Sequence, residues 1–375
     1  MRFRKLREIE NIEGKRVILR LGLNVPVTNG KIDNGFRLEK SILSINFLKE
    51  RGAKIIIVGH IDGDETDSLE VVYEYYKSLF SLKFVRDIFS KEEENTIEEM
   101  NNGDVVLLEN LRLHEGEKKN NPEFCKKLAN YGDIYVNDAF PVSHRKHASI
   151  VGITKLLPSY AGIWLEREVE ELSFALNPPH PFTFIIGGAK FSTKLPLIES
   201  FLDKTDYICA VGALCNPYLS ERGISIGASL MPKDDIDISK GVKSDRLILP
   251  ENVWVANEKG REKRNVSEMK EGDVISDMTD ETIETIMNLV KKSKLVVWNG
   301  PVGDYERDFS SGTEKLAREI QASGIKTIIG GGDTLAVISP KEMESKNIFV
   351  STGGGAMLDF LLDGTLPGLE ALDLP

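Results

Sequence analysis

Four glycine-rich segments in the second half of the chain could hold phosphate groups. They are GGAKFSTK (residues 187–194), WNGPVG (298–303), GGGDT (330–334) and STGGGA (351–356). Each follows a short apolar run, where ligands bind in open α/β sheets. Glycine lets backbone N–H groups approach an anion, and a following helix N-terminus adds partial positive charge. One such turn is explained equally well by tight-turn geometry, but four, one of which carries Lys190 and Lys194, favour phosphate binding.

The carboxylate of Asp333 follows the three glycines of GGGDT. Beside a phosphate site this residue suits a contact with Mg²⁺, usually made through water. The alternative role is a helix N-cap, and one side chain can fill both. The chain contains neither G-x-G-x-x-G nor G-x-x-x-x-G-K-[ST], which disfavours a standard dinucleotide fold and a P-loop kinase.

Cationic side chains are concentrated at loop positions of the first half. They are Arg37, His60, Arg112 and, within SHRKH, His144, Arg145 and His147. A single surface cation is most often only solvated. His60 and Arg112, however, directly follow apolar runs, and three separate segments could converge on one doubly charged small anion. Asn24, just after the first apolar run, could add a neutral hydrogen bond.

The elements that would position these residues are short apolar runs separated by amphipathic segments. Runs occur at residues 16–21, 54–58, 105–108, 134–136, 182–186, 207–211, 247–249, 253–255, 295–298, 327–329 and 348–350, and helical patterns at 38–51 and 313–322. This alternation predicts an α/β fold with parallel sheets covered by helices on both faces. Pro178, Pro179 and Pro181 indicate a domain boundary, and residues 161–176 predict one connecting helix before it.

Length and composition restrict the function. A chain of 375 residues predicts two domains. The formal charge of -11 argues against a general nucleic-acid or membrane binder, which needs a basic face. No apolar run approaches 18 residues and the N-terminus has no secretory pattern. Cys125, Cys209 and Cys215 are expected to be buried reduced thiols of a cytoplasmic protein rather than zinc ligands.

Eight segments resemble motifs of the phosphoglycerate kinases, in that family's order and across essentially the whole chain. They are LNVP (23–26), ENLRLHEGE (109–117), NDAFPVSHRKHAS (137–149), GGAKFSTK, WNGPVGDYE (298–306), GGGDT, STGGGA and LPGLEAL (366–372). The resemblance implies two Rossmann-like domains facing each other across a cleft. Residues 1–161 would bind 3-phosphoglycerate, 162–177 would form the connector helix, 178–355 would bind nucleotide, and 356–375 would return to the N-terminal domain.

The resemblance also implies the reaction and its site residues. The reaction is reversible phosphoryl transfer from 1,3-bisphosphoglycerate to ADP, with Mg²⁺ bound to the nucleotide, in a cytoplasmic monomer whose domains close around the substrates. Substrate contacts would be Asn24, Arg37, His60, Arg112, His144, Arg145 and His147. Nucleotide contacts would be Lys190, Lys194, Asn299, Glu306, Gly331, Gly332, Asp333 and Thr334. Glu306 corresponds to the glutamate that holds the ribose, and Gly353 and Gly354 to glycines that help hold the transferring group.

This chemistry agrees with what the sequence lacks. The nucleophile is a carboxylate or an ADP oxygen that is already ionised at neutral pH, so no general base is needed. Catalysis then depends on alignment and on neutralising charge on the transferring group. Arg37, Lys190, Lys194, Mg²⁺ and backbone N–H groups, including those near Gly353 and Gly354, are suited to that work.

Two departures from the family pattern lie in the expected substrate site. The motif R-x-D-x-N-V-P reads RLGLNVP, with Gly22 in place of an aspartate that contacts substrate. The motif H-L-G-R-P reads HIDGDE, with Gly63 in place of an arginine that binds substrate phosphate, while Asp62 and Asp64 add negative charge. Each lost charge-assisted contact costs about 1.5–3 kcal/mol, or roughly ten- to hundredfold in affinity.

The expected nucleotide site departs less from the family pattern. VGALCNPY (211–218) keeps only Gly212 of the family's triple glycine, and DMTD (277–280) replaces D-I-G-P near the adenine, so the adenine pocket is expected to differ.

Three hypotheses for the function follow. The first hypothesis is an active phosphoglycerate kinase with an altered substrate loop. The second is a kinase for a different small carboxylate. The third is a catalytically weak paralogue that binds nucleotide.

Overall fold

The structure is a computed structural model that describes residues 3–63 and 67–373. The chain divides into two units. The first unit comprises the residues up to Glu170 together with those from Thr365 onward, and the second unit is Glu171–Gly364. Each unit contains one six-stranded parallel sheet, as the alternating pattern predicted.

The first unit is built on a sheet of order β5-β6-β4-β1-β7-β8. Its strands are β1 (Arg16–Leu21), β4 (Lys54–Val58), β5 (Lys83–Val85), β6 (Val105–Leu108), β7 (Ile134–Asp138) and β8 (Ser159–Ala161), and β2 (Val27–Thr28) and β3 (Lys31–Ile32) form a hairpin. Its helices are α1 (Phe36–Glu50), α2 (Glu70–Lys77), α3 (Lys91–Glu98), α4 (Glu115–Lys118), α5 (Pro122–Ala129) and α6 (Ile163–Ser173), and the division between the units falls within α6.

The four central strands of this sheet, β6, β4, β1 and β7, are buried along most of their length, which explains their largely apolar sequences. Residues 105–108 of β6 and 134–138 of β7 are buried throughout. In β1, Arg16 is half-buried and every later residue is buried. A parallel sheet that is covered on both faces offers no solvent side for alternating polar residues.

Helix α6 is shorter than the sequence predicted. Residue 161 ends strand β8, and the helix runs from Ile163 only to Ser173. Its first turn is fixed by the buried carboxylate of Asp138, which accepts hydrogen bonds from the backbone N–H groups of Trp164 and Leu165, both at 2.8 Å. The expected continuation to 176 is wrong because the chain turns before the prolines.

The second unit has a sheet of order β11-β10-β9-β15-β16-β17. Its strands are β9 (Phe182–Ile186), β10 (Tyr207–Ala210), β11 (Leu247–Ile248), β12 (Asn252–Asn257), β13 (Gly260–Asn265), β14 (Val274–Met278), β15 (Leu295–Asn299), β16 (Thr327–Gly330) and β17 (Ile348–Val350). Its helices are α7 (Phe191–Phe201), α8 (Cys215–Glu221), α9 (Ser239–Val242), α10 (Asp280–Val290), α11 (Ser311–Ser323), α12 (Gly332–Val337), α13 (Pro340–Met343) and α14 (Gly354–Asp363).

Strand β12 does not join the parallel sheet of the second unit. It lies between β13 and β14 in a separate antiparallel sheet of three strands. The sequence pattern detected the apolar centre of β12. It did not detect β13 (GREKRN), because most of the residues of that strand are charged. The expectation that every strand would be parallel is therefore corrected for this small sheet.

The last described segment belongs to the first unit. Helix α15 (Pro367–Glu370) packs there, and the N–H of Gly368 donates to the carbonyl of Ser143 at 2.7 Å. An added Cβ on Gly368 would lie 2.9 Å from Ile150, so the close approach requires glycine. Residues 374 and 375 of the predicted returning segment lie outside the described residues.

Two further expectations from the sequence concern the cysteines and membrane-spanning helices. Cys125, Cys209 and Cys215 are free and buried, as predicted. Within the part of the chain that the structure describes, no helix combines the length and apolar character that a membrane span requires.

Candidate functional site

The four glycine-rich turns meet at one edge of the second sheet. They follow β9, β15, β16 and β17, which are consecutive neighbours in that sheet. Because parallel strands all end at the same edge, their carboxyl-terminal turns are adjacent. Helices α7, α12 and α14 begin directly after three of these turns, and their first N–H groups have no acceptor within the helix.

Packing between the turns explains several of the glycines. Gly331 has φ 110°, a conformation that side chains disfavour, and an added Cβ would lie 3.0 Å from Thr334 Oγ1. A Cβ on Gly354 would lie 2.9 Å from the Cα of Gly331. Gly332 differs, because nothing lies within 4 Å of its added Cβ. Its bare backbone is therefore not required by contacts within the protein.

Lys194 is buried within this group of turns. Its side chain is 3% exposed, and its Nζ donates to the carbonyl of Gly187 at 2.7 Å. An added Cβ on Gly300 would lie 2.6 Å from the same Nζ. Burial lowers the pKa of Lys194 to about 8, although the carboxylate of Asp333 opposes that shift. The ammonium group is thus held in place where the turns meet.

Asp333 lies on α12 and pairs with Lys190. The N-cap of this helix is Gly331, which has a positive φ. The alternative N-cap role for Asp333 is therefore wrong. The Asp333 carboxylate lies 3.0 Å from Lys190 Nζ, which is mostly exposed. The adjacent Thr334 hydroxyl accepts from Gly300 N–H at 2.8 Å and donates to the Gly330 carbonyl at 3.1 Å, which joins two turns.

A cavity of about 490 Å³ opens beside these turns, within the second unit. Of the eight predicted nucleotide residues, Lys190, Glu306 and Asp333 line it, and Lys194, Asn299, Gly331, Gly332 and Thr334 do not. Glu306 is on a 3-10 helix (Tyr305–Arg307) and is exposed. Asn299 is buried, with its amide nitrogen 3.9 Å from Met357 Sδ.

Part of the cavity lining is apolar, and outside the segment VGALCNPY this part was not identified from the sequence. It includes Gly212, Ala213, Leu230, Val274 and Ile275. These residues come from three separate segments with no shared motif, so only the fold brings them together. A cavity lined by both charged and apolar side chains can hold a ligand that has both polar and apolar parts.

Gly353 and Gly354 begin helix α14. Gly353 is its N-cap, and Gly354 packs against the Gly331 backbone. The N–H of Gly353 donates to Ser351 Oγ at 3.2 Å. The predicted phosphoryl contacts thus lie at a helix N-terminus that adjoins the GGGDT turn.

In the first unit, the predicted substrate residues follow four strands that are also consecutive neighbours. Asn24 follows β1, His60 follows β4, Arg112 follows β6, and the SHRKH segment follows β7, in the sheet order β6-β4-β1-β7. Arg37 is on α1, and its Nη1 donates to the Asn24 carbonyl. His144 is half-buried and Arg145 is exposed on the turn after β7.

A buried arginine that the sequence reasoning did not single out supports this edge. Arg20 is fully buried, its Nη2 donates to His60 Nδ1 at 2.8 Å, and its Nε donates to Ser149 Oγ at 2.9 Å. Ser149 Oγ in turn donates to the buried carboxylate of Glu117 at 2.6 Å. Burial, and next Arg20 and Arg112, lower the pKa of His60. His60 is therefore neutral, and its Nε2 carries the proton.

Arginine side chains lie close to His147. Burial first, and then the neighbouring Arg112, Arg20 and Arg145, lower the pKa of His147 to about 4. Burial likewise lowers the pKa of Arg112 to about 10. Arg112 Nε and His147 Nδ1 are buried and have no hydrogen-bond partner among the described residues. Buried polar groups of this kind call for a ligand or water.

The two departures from the family pattern have different surroundings. An added Cβ on Gly22 would lie 3.3 Å from the Pro141 ring, so an aspartate there needs only a small shift. Asp62, beside Gly63, pairs with Arg112 and lies 3.8 Å from His60 Nε2. Asp64, the other added acid, lies outside the described residues. Within the described residues, no group of three or more His, Cys, Asp or Glu side chains is arranged to hold a metal.

Comparisons with known proteins agree with this geometry. The phosphoglycerate kinase family model matches residues 6–364. A phosphoglycerate kinase of Wolbachia sp. subsp. Drosophila simulans (strain wRi) is 38% identical over 388 residues, covering 97% of this chain and 98% of the relative. That of Borreliella burgdorferi (strain ATCC 35210 / DSM 4680 / CIP 102532 / B31) is 37% identical over 398 residues, covering all of both chains.

Solved structures give the same result. The structure of phosphoglycerate kinase from Coxiella burnetii has a TM-score of 0.83 and 34% identity, covering 99% of both chains. That from Pyrococcus horikoshii OT3 has a TM-score of 0.87 and 28% identity, covering 98% of both. The chain belongs to the phosphoglycerate kinase family and is a phosphotransferase.

Proposed function

We propose that this chain transfers a phosphoryl group between 1,3-bisphosphoglycerate and ADP through two sites, one in each unit. The cation cluster of the first unit (Arg37, His60, Arg112, Arg145 and His147, with Asn24 and His144) binds 3-phosphoglycerate. The glycine turns and the adjoining cavity of the second unit bind ATP or ADP. The observation that carries this assignment is that four glycine turns follow neighbouring strands at one sheet edge, with the buried ammonium of Lys194 between two of them.

The second unit neutralises the phosphates. Lys194 presents a fixed positive charge, and Lys190, now paired with Asp333, is exposed enough to move onto a ligand. The first-turn N–H groups of α12, at Gly332, Asp333 and Thr334, and of α14, after Gly353 and Gly354, donate to phosphate oxygens. Glu306 accepts from ribose hydroxyls, and Asn299 and Gly331 shape the wall behind the phosphates.

Magnesium fits this proposal because Asp333 offers a partly exposed carboxylate beside the phosphate-binding turns. A single carboxylate together with phosphate oxygens and water is a donor set that Mg²⁺ favours. When bound, the ion offsets negative charge on the nucleotide.

No general base is required, because the attacking carboxylate of 3-phosphoglycerate is ionised at neutral pH. The protein's contribution is alignment and charge neutralisation by Arg37, Lys190 and Lys194. Donor and acceptor must meet directly and water must be excluded, since water hydrolyses an acyl phosphate. We therefore also propose a hinge-bending motion during the catalytic cycle, in a cytoplasmic monomer.

The test is a coupled steady-state assay with 3-phosphoglycerate and Mg-ATP. Turnover that saturates at millimolar substrate supports the proposal, and no turnover contradicts it. A panel of other small carboxylates tests the alternative of a different acceptor, which Gly22 and Gly63 motivate. Binding of Mg-ADP without turnover, unchanged by the double variant Gly22→Asp with Gly63→Arg, would instead indicate a catalytically weak paralogue.

A further inference from the structure

An acidic side chain of the first unit lies against two residues that we assign to the substrate, Arg112 and His60. Asp62 forms an ion pair with Arg112 Nη1, and its carboxylate lies 3.8 Å from His60 Nε2. The side chain of Asp62 is 42% exposed, whereas that of Arg112 is 15% exposed and that of His60 is 1% exposed. The carboxylate therefore approaches the Arg112 guanidinium and the neutral His60 ring from the solvent side, as an anionic ligand would.

The loop that carries Asp62 is tied to the neighbouring strand ends. Asn110 donates through its side-chain nitrogen to the carbonyls of Ile61 at 2.7 Å and Asp67 at 2.6 Å. The backbone N–H of Asp62 donates to Asn24 Oδ1 at 3.1 Å. These bonds hold the backbone at Ile61, Asp62 and Asp67, and the Asp62 carboxylate lies against Arg112.

The charges around this position favour a carboxylate. Burial first, and then Arg20, Arg112 and Arg37 among its neighbours, lower the pKa of His60, so three guanidinium groups share one small region. The partly buried guanidinium of Arg112 also has an unpartnered Nε among the described residues. A carboxylate that pairs with Arg112 neutralises one positive charge in the region that a substrate anion must enter.

We propose that Asp62 is an internal counter-ion that competes with the anionic group of the substrate for Arg112 and thereby sets the KM for 3-phosphoglycerate. This inference rests on the proposed function, which assigns Arg112 to the substrate. When 3-phosphoglycerate binds, its anionic group would replace the Asp62 carboxylate as the partner of the Arg112 guanidinium. The displaced Asp62 side chain, which is already partly exposed, would then be solvated.

The experiment compares Asp62→Asn with Asp67→Asn, which makes the same charge change at an exposed position of the same loop. Asparagine keeps the size of the side chain and removes the ion pair. We expect Asp62→Asn to lower the KM for 3-phosphoglycerate about two- to fivefold, the range that the upper half of measured exposed ion-pair energies corresponds to. The kcat and the KM for Mg-ATP should stay unchanged, and Asp67→Asn should leave all three constants unchanged.

Isothermal titration with 3-phosphoglycerate alone gives a second readout that does not depend on turnover. The affinity should rise by the same factor in Asp62→Asn. An unchanged or higher KM in that variant, or an equal effect in Asp67→Asn, overturns the role of Asp62. A wild-type protein that neither binds nor turns over 3-phosphoglycerate overturns the proposed function instead, so the two failures are distinguishable.

Discussion

Gly332 provides the sharpest test of phosphate binding by bare backbone. In the GGG segment, a Cβ on Gly330 would collide with Met357 Sδ, and one on Gly331 would lie 3.0 Å from Thr334 Oγ1 at φ 110°. Packing thus explains both glycines. A Cβ on Gly332 would meet nothing within 4 Å, so the substitution Gly332→Ala leaves the protein's own contacts intact.

The expected magnitudes differ for stability and for binding. Alanine in the first turn of α12 should leave the free energy of unfolding unchanged or raise it by up to about 1 kcal/mol. A methyl group beside the N–H that faces a phosphate should cost one charge-assisted hydrogen bond, about 1.5–3 kcal/mol. The KM for Mg-ATP should therefore rise roughly ten- to hundredfold.

The assay combines steady-state kinetics, calorimetric binding of Mg-ADP and urea unfolding. The matched control is Gly272→Ala, because Gly272 is likewise open to added volume and lies outside the four glycine-rich turns. The control should keep the wild-type KM for Mg-ATP.

Two results would refute the reasoning. A Gly332→Ala variant with the wild-type KM for Mg-ATP would show that the backbone at this position does not contact phosphate. A loss of stability in parallel with the loss of affinity would show that glycine is needed there for the fold.

Three further predictions test other parts of the molecule. Gly63→Arg should lower the KM for 3-phosphoglycerate about tenfold by restoring one charge-assisted contact, which steady-state kinetics will measure. Burial raises the pKa of Glu93 from 4.5 to about 7, so the folded state binds more protons than the unfolded state between these pH values. The free energy of unfolding therefore falls as the pH rises through that window. Urea unfolding at about pH 5 and about pH 7.5 should show a smaller fall in the free energy of unfolding for Glu93→Gln than for the wild type. Asp138→Ala should lower the free energy of unfolding by about 1–2 kcal/mol, measured by urea unfolding, because α6 loses its cap.

Each of these three has a contradicting outcome. An unchanged KM in Gly63→Arg would mean that position 63 does not reach the substrate. Equal pH dependence in wild type and Glu93→Gln would exclude a buried carboxyl at 93 as its source. Wild-type stability in Asp138→Ala would mean that water replaces the cap of α6 without cost.

The fold was largely predictable because buried parallel strands have a simple sequence pattern. The runs at 54–58, 105–108 and 182–186 coincide with β4, β6 and β9. The pattern failed for β13, whose charged side chains have no apolar period. It also extended α6 too far, because helical periodicity does not reveal where a chain turns.

The candidate site was predictable where its residues belong to contiguous motifs. Lys190 and Lys194 were named together, but their different environments were not: Lys194 is buried on the Gly187 carbonyl and Lys190 is exposed on Asp333. The role of Arg20 was missed because its partners, His60 and Ser149, are 40 and 129 residues away.

The sequence alone determined the alternation of strands and helices, the glycine turns and the family, because each is written in neighbouring residues. Only the tertiary structure decided which glycines are required by packing, that Asp62 pairs with Arg112, and that a cavity adjoins the glycine-rich turns. Those features depend on distances between residues far apart in the chain, and such distances exist only once parallel strands align their ends at one edge of a sheet.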